Sequence, residues 1–148
     1  MEQSNGIKLA IIVIVAASLM MTTVSYGQIA SADKDYELKG VGKGSISCPD
    51  GKEVQNARIS FFVFYQDDGT FAEWNVDQKN HGSKGGIITK ESVTSSKYSL
   101  KGEEAFDNIC DSDVPTKMSI SGECGEGSTA KLKADSGEKG TFKVRAKC

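Results

Sequence analysis

The chain has 148 residues, of which 26% are charged and 7% aromatic, and a formal net charge of −2. That length holds one domain with a modest core and not two. Acidic and basic residues are interleaved without a basic block or stripe, so the sequence gives no electrostatic footprint for nucleic acid or an anionic membrane.

The N-terminus starts polar, carries Lys8, and runs without charge from Leu9 to Met21, thirteen residues against the roughly 20 that span a bilayer. Small residues follow at signal-peptidase spacing, Ser25-Tyr26-Gly27 and Ala30-Ser31-Ala32. Residues 1–27 therefore read as a signal peptide, with cleavage after residue 32 as the alternative. A membrane association follows only if this segment stays uncleaved as an anchor through Val24. Residues 36–148 form the exported domain, secreted or held at the cell surface.

Beyond the signal, Gly and Ser punctuate short stretches of alternating apolar and polar residues, and no helical period persists over three turns. Eight strands are expected, at about 36–48, 57–66, 71–78, 86–93, 97–102, 116–124, 128–134 and 141–148. In the first, Gly40, Gly42 and Gly44 share one face, as in a strand that bends or packs closely on its neighbour; without GxGxxG and a following helix they do not make a phosphate loop. The last three strands alternate most clearly: Met118 and Ile120, then Ala130 and Leu132, then Phe142, Val144 and Ala146 each share an apolar face. Turn sequences such as "CPDGK", "QDDGT" and "DSGEKG" separate the strands. The pattern predicts an all-β antiparallel meander barrel of about eight strands. An immunoglobulin-like sandwich is the alternative, although Trp74 lies too far after Cys48 and Asn108 stands where that fold has its corner tyrosine.

The second and third strands hold six of the eleven aromatic residues. Ile59, Phe61, Val63 and Tyr65 share a face, matched by Ala72, Trp74 and Val76 if a four-residue loop, Asp67 to Thr70, joins the strands. Phe62, Phe64 and Phe71 then form a surplus stripe on the nominally polar face, a candidate binding patch unless another part of the chain covers it. A hollow barrel would line a ligand cavity with Trp74, Tyr98 and Leu100.

Cys48, Cys110, Cys124 and Cys148 are an even set in the exported part, which reads as two disulfides. If eight strands alternate in direction, Cys48 and the connection holding Cys110 share one rim, and Cys124 and Cys148 share the other. The expected pairs are Cys48 with Cys110 and Cys124 with Cys148; a different strand count would bring Cys48 to Cys124 or Cys148. Their spacing is unlike a zinc site, which uses close pairs such as CxxC.

The stretches "SCPDG", "FDNICDSDVP" and "ISGECGEGSTAKLKADSGEKGTFKV" resemble small secreted β-proteins of unknown function from ammonia-oxidising archaea. The resemblance implies export and a compact β fold, and carries no activity or site residue.

Little in the sequence points to catalysis. His81, the sole histidine, lies in a polar glycine-rich loop, and no GxSxG occurs. Asp67-Asp68 and Glu103-Glu104 are adjacent pairs whose members point to opposite faces of a strand. Asp107, Asp111 and Asp113 lack the glycine and distal glutamate of a calcium loop. The expectation is a noncatalytic domain without a metal or cofactor, binding a small apolar ligand or a surface protein. The alternatives are a structural or assembly component of the cell envelope and a small secreted carboxylate-dependent hydrolase.

Overall fold

A computed structural model describes residues 37–148; the signal segment lies outside the described residues. Eight antiparallel strands, β1 (Glu37–Ser47), β2 (Glu53–Gln66), β3 (Gly69–Gln78), β4 (Gly82–Val93), β5 (Lys97–Asp107), β6 (Lys117–Glu123), β7 (Gly127–Lys133) and β8 (Lys139–Lys147), follow one another around a closed barrel. The meander closes where β1 pairs with β8, from Lys39 opposite Lys147 to Ser47 opposite Lys139.

Alternation along each strand builds the interior. On β8, Gly140, Phe142, Val144 and Ala146 are buried while the residues between them are exposed. The same rhythm puts Leu38, Ile59, Phe61, Val63, Trp74, Val76, Leu100, Met118, Ile120, Ala130 and Leu132 into one apolar cluster. This is the reverse of a membrane-spanning barrel, whose apolar residues face outward.

Glycine on β1 makes that interior fit. A Cβ at Gly40 would stand 2.2 Å from the Phe61 ring, and one at Gly44 would stand 1.9 Å from the Thr141 carbonyl oxygen on β8. Gly40 thus makes room for a core aromatic, and Gly44 lets the two closing strands come together.

The β2–β3 connection differs from the expected four-residue loop. Gln66 pairs with Gly69, leaving only Asp67 and Asp68 in the turn, and Phe61 faces Trp74. A two-residue turn keeps the same parity as a four-residue one, so each side chain keeps its face while the register moves by two. Several strands also run further than their apolar cores predicted. β2 starts at Glu53, β4 at Gly82, and β5 continues to Asp107, with irregular pairing at Gly85/Gly86 and Ile88/Lys90.

Disulfides staple both ends. Cys48 is bonded to Cys110 and Cys124 to Cys148, with Cα separations of 5.4 and 5.6 Å. The first holds the β5–β6 loop to the β1–β2 turn, where Lys52 Nζ also donates to the Ile109 carbonyl at 2.7 Å. The second ties the last residue of the chain to the end of β6. Two bridges make this a domain of an oxidising environment.

Candidate functional site

Trp74, Tyr98 and Leu100 belong to the buried interior of the barrel. All three are buried in the packed core; the Trp74 indole N–H donates to the Glu103 carbonyl at 3.3 Å, and the Tyr98 ring lies 6.2 Å from that of Phe61.

Phe62, Phe64 and Phe71 are half-buried on the outer face. The shortened turn sets Phe64 directly opposite Phe71 and Phe62 opposite Glu73, which in turn faces the exposed Ile87 on β4. Burial among these neighbours raises the Glu73 carboxyl above its ordinary value.

Charge sorts differently in space than in sequence. On β6, β7, β8 and β1 the outward positions carry Lys117, Lys131, Lys133, Lys139, Lys143, Arg145, Lys147, Lys39 and Lys43, against only Glu37 and Glu123. Lys133 stands opposite both Lys117 and Lys139, Lys43 opposite both Lys143 and Arg58, and Lys39 opposite Lys147. The expectation of no basic stripe is therefore corrected: strands separated by turns alternate charges along the chain, while the barrel aligns the lysines side by side. An open groove beside this face is lined by Lys90, Lys101, Lys117, Lys131 and Lys133, with Glu103 and Asp135 as its acids.

A third feature is internal. At the rim stapled by Cys48–Cys110, the Lys84 side chain is fully buried. Its ammonium touches the Glu138 carboxylate, lies 2.9 Å from Glu104 Oε2 and 3.5 Å from Asp107 Oδ2, and donates to Thr116 Oγ1 at 3.0 Å. The three carboxylates come from three places: Asp107 is the β-partner of Lys84, Glu104 pairs with Gly86, and Glu138 precedes β8 in phase with its buried residues.

Three carboxyls around one ammonium leave a surplus of negative charge in a dry site. Burial, reinforced by Asp107 and Glu104, raises the Glu138 carboxyl despite its contact with Lys84. Burial would lower the Lys84 ammonium, but Glu138 and Glu104 more than offset it and hold it above its ordinary value. Burial would also raise Asp107, yet it is held low by hydrogen bonds from the Cys110 and Ile109 N–H groups, the charge of Lys84 and the Ser112 N–H. Asp107 is thus a cap for the 108–116 loop, while Asp111 and Asp113 are exposed and His81 sits exposed in the β3–β4 turn.

Asp107, Glu138 and Cys110 come within metal-ligand spacing of one another. Cys110 is bonded to Cys48, so it offers no thiolate, and the Lys84 ammonium lies against both carboxylates. That donor set does not fit a cation.

Sequence reading missed the internal cluster because it ended the apolar strands at residues 86, 102 and 141. The available signal was phase: Lys84 continues the spacing of Gly86 and Ile88, Glu104 that of Leu100 and Gly102, and Glu138 that of Gly140 and Phe142. The chain matches no protein-family model, no curated protein and no solved structure at a significant level.

Proposed function

We propose that this protein is a noncatalytic domain exported to the cell surface, where its lysine face holds an acidic polysaccharide. The observation that carries this reading is the pairing of like charges across strands, Lys117 with Lys133 and Lys133 with Lys139, Lys43 with both Lys143 and Arg58. Directly opposed like charges destabilise a sheet, and an anionic chain laid across them relieves that repulsion. The open groove offers the same chemistry.

One feature favours a polysaccharide over a nucleic acid: the disulfides belong to an oxidising compartment. The half-buried Phe62 stands opposite Lys39 at the edge of the lysine face, and the exposed Phe106 lies on β5. Retention of the purified domain on an immobilised acidic polysaccharide at about 0.15 M salt, lost in a Lys117→Gln/Lys131→Gln/Lys133→Gln variant, is the expected result. Passage without retention, or tighter binding to single-stranded DNA or anionic vesicles, sinks the reading.

A second reading, assembly between copies as an envelope component, is favoured by Phe64 opposite Phe71 on the outer face. Its test is the mass in solution. Concentration-dependent association that disappears in Phe64→Ser/Phe71→Ser supports it, and a monomer at all concentrations removes it.

A further inference from the structure

We propose that Lys84 and Glu138 join through their side chains as an amide, an intramolecular crosslink made by the folded barrel with Glu104 as proton acceptor. This inference is independent of the lysine face. It rests on a nucleophile and an electrophile already in contact, both fully buried. Glu138 Oε1 is also buried without any hydrogen-bond partner. That unpartnered oxygen disfavours the carboxylate form of Glu138 inside the barrel.

The reaction balances without an oxidant or reductant. Glu104 Oε2, 2.9 Å from Nζ, takes one proton from the Lys84 ammonium. The freed lone pair attacks Cδ of the Glu138 carboxylic acid, the Nζ–Cδ bond forms, and one Cδ–O bond breaks. That hydroxyl leaves as water with a second Lys84 proton, the third stays on the amide nitrogen, and Glu104 remains protonated. The attack needs Glu138 as the uncharged acid, and burial shifts its carboxyl in that direction.

Two physical effects drive a condensation that is unfavourable in water. Holding the reacting groups in contact replaces a bimolecular encounter by a unimolecular step. Burying an ion pair carries a desolvation penalty that a neutral amide does not. A loop held through Cys48–Cys110 and Lys52 lies at this rim, and the Lys84 and Glu138 side chains are fully shielded from solvent. The Thr116 hydroxyl, 3.0 Å from Nζ, is placed to accept the amide N–H. The raised Lys84 ammonium opposes the first step; Glu104 Oε2 lies 2.9 Å from Nζ without a hydrogen-bond partner of its own, so it is a near acceptor for that proton.

The test is mass spectrometry of the exported protein, reduced and denatured. The expected mass is lower than that of the sequence by one water, about 18 Da. Tryptic digestion is expected to give a branched peptide joining residues 80–90 to 134–139, with Lys84 resistant to cleavage. Glu104→Gln is expected to fold, with the same circular dichroism and both disulfides, yet to show the full mass. A wild-type protein at full mass overturns the proposal, as does a lost water that maps anywhere other than Lys84 and Glu138.

Discussion

Lys117 and Lys133 stand directly opposite each other across β6 and β7, and Lys133 meets a third lysine, Lys139, across β7 and β8. Three ammonium groups in one row across three strands are an arrangement that folding alone disfavours.

Replacing Lys133 by Glu is therefore expected to stabilise the free domain while weakening its hold on an anionic chain. The gain is on the order of a few tenths of a kcal/mol at low ionic strength and shrinks as salt screens the row. Urea denaturation at low and high salt measures it. Equal stability of the two proteins at low salt would show that the row carries no strain.

The two disulfides are expected to contribute unequally. The Cys48–Cys110 bridge closes 62 residues and the Cys124–Cys148 bridge 24, which the chain-entropy model converts to about 4 and about 3 kcal/mol. Cys48→Ser/Cys110→Ser is expected to lower the denaturation midpoint more than Cys124→Ser/Cys148→Ser. It also releases the loop over Lys84, so its effect on amide exchange is expected to concentrate at residues 108–116.

Asp107 is expected to make the same loop acid-sensitive. Its folded carboxyl is held below its ordinary value, so its contribution is fully present above the unfolded pKa of about 3.9 and is lost as pH falls through the folded value. Asp107→Asn is expected to cost about 2 kcal/mol at neutral pH, since the Ile109, Cys110 and Ser112 N–H groups lose a charged acceptor, and to flatten the acid limb of the stability profile. Thermal melts of both proteins from pH 7 downward decide this; parallel profiles would remove Asp107 as the cause.

Gly40 and Gly44 are expected to fail differently when replaced by Ala. At Gly40 the obstacle is the Phe61 side chain, so Gly40→Ala is expected to cost about 1–3 kcal/mol and to recover part of that with Phe61→Leu. At Gly44 the obstacle is the Thr141 backbone, which no side-chain change can move. Chemical denaturation of the single and double variants separates the two cases.

The chain alone favoured the barrel over a sandwich and made the inward face of each strand legible. Period-two alternation on strands separated by turn residues leaves few ways to bury Phe142, Val144, Leu132 and Met118, and even strand parity brings Cys48 to Cys110 and Cys124 to Cys148. The faces of Phe61 and Phe62 were equally legible, because a turn of two residues and one of four share parity.

What the charged residues do became visible only in the folded barrel. An apolar pattern marks where a strand is obvious rather than where it ends, so Lys84, Glu104 and Glu138 lay beyond the apparent strand limits, although they kept the inward phase. Nothing local distinguishes a lysine that faces solvent from one that closes a barrel rim against three carboxylates. The lysine rows have the same origin: cross-strand neighbours such as Lys43 and Lys143 are a hundred residues apart in sequence, and closure of β1 onto β8 alone makes them adjacent.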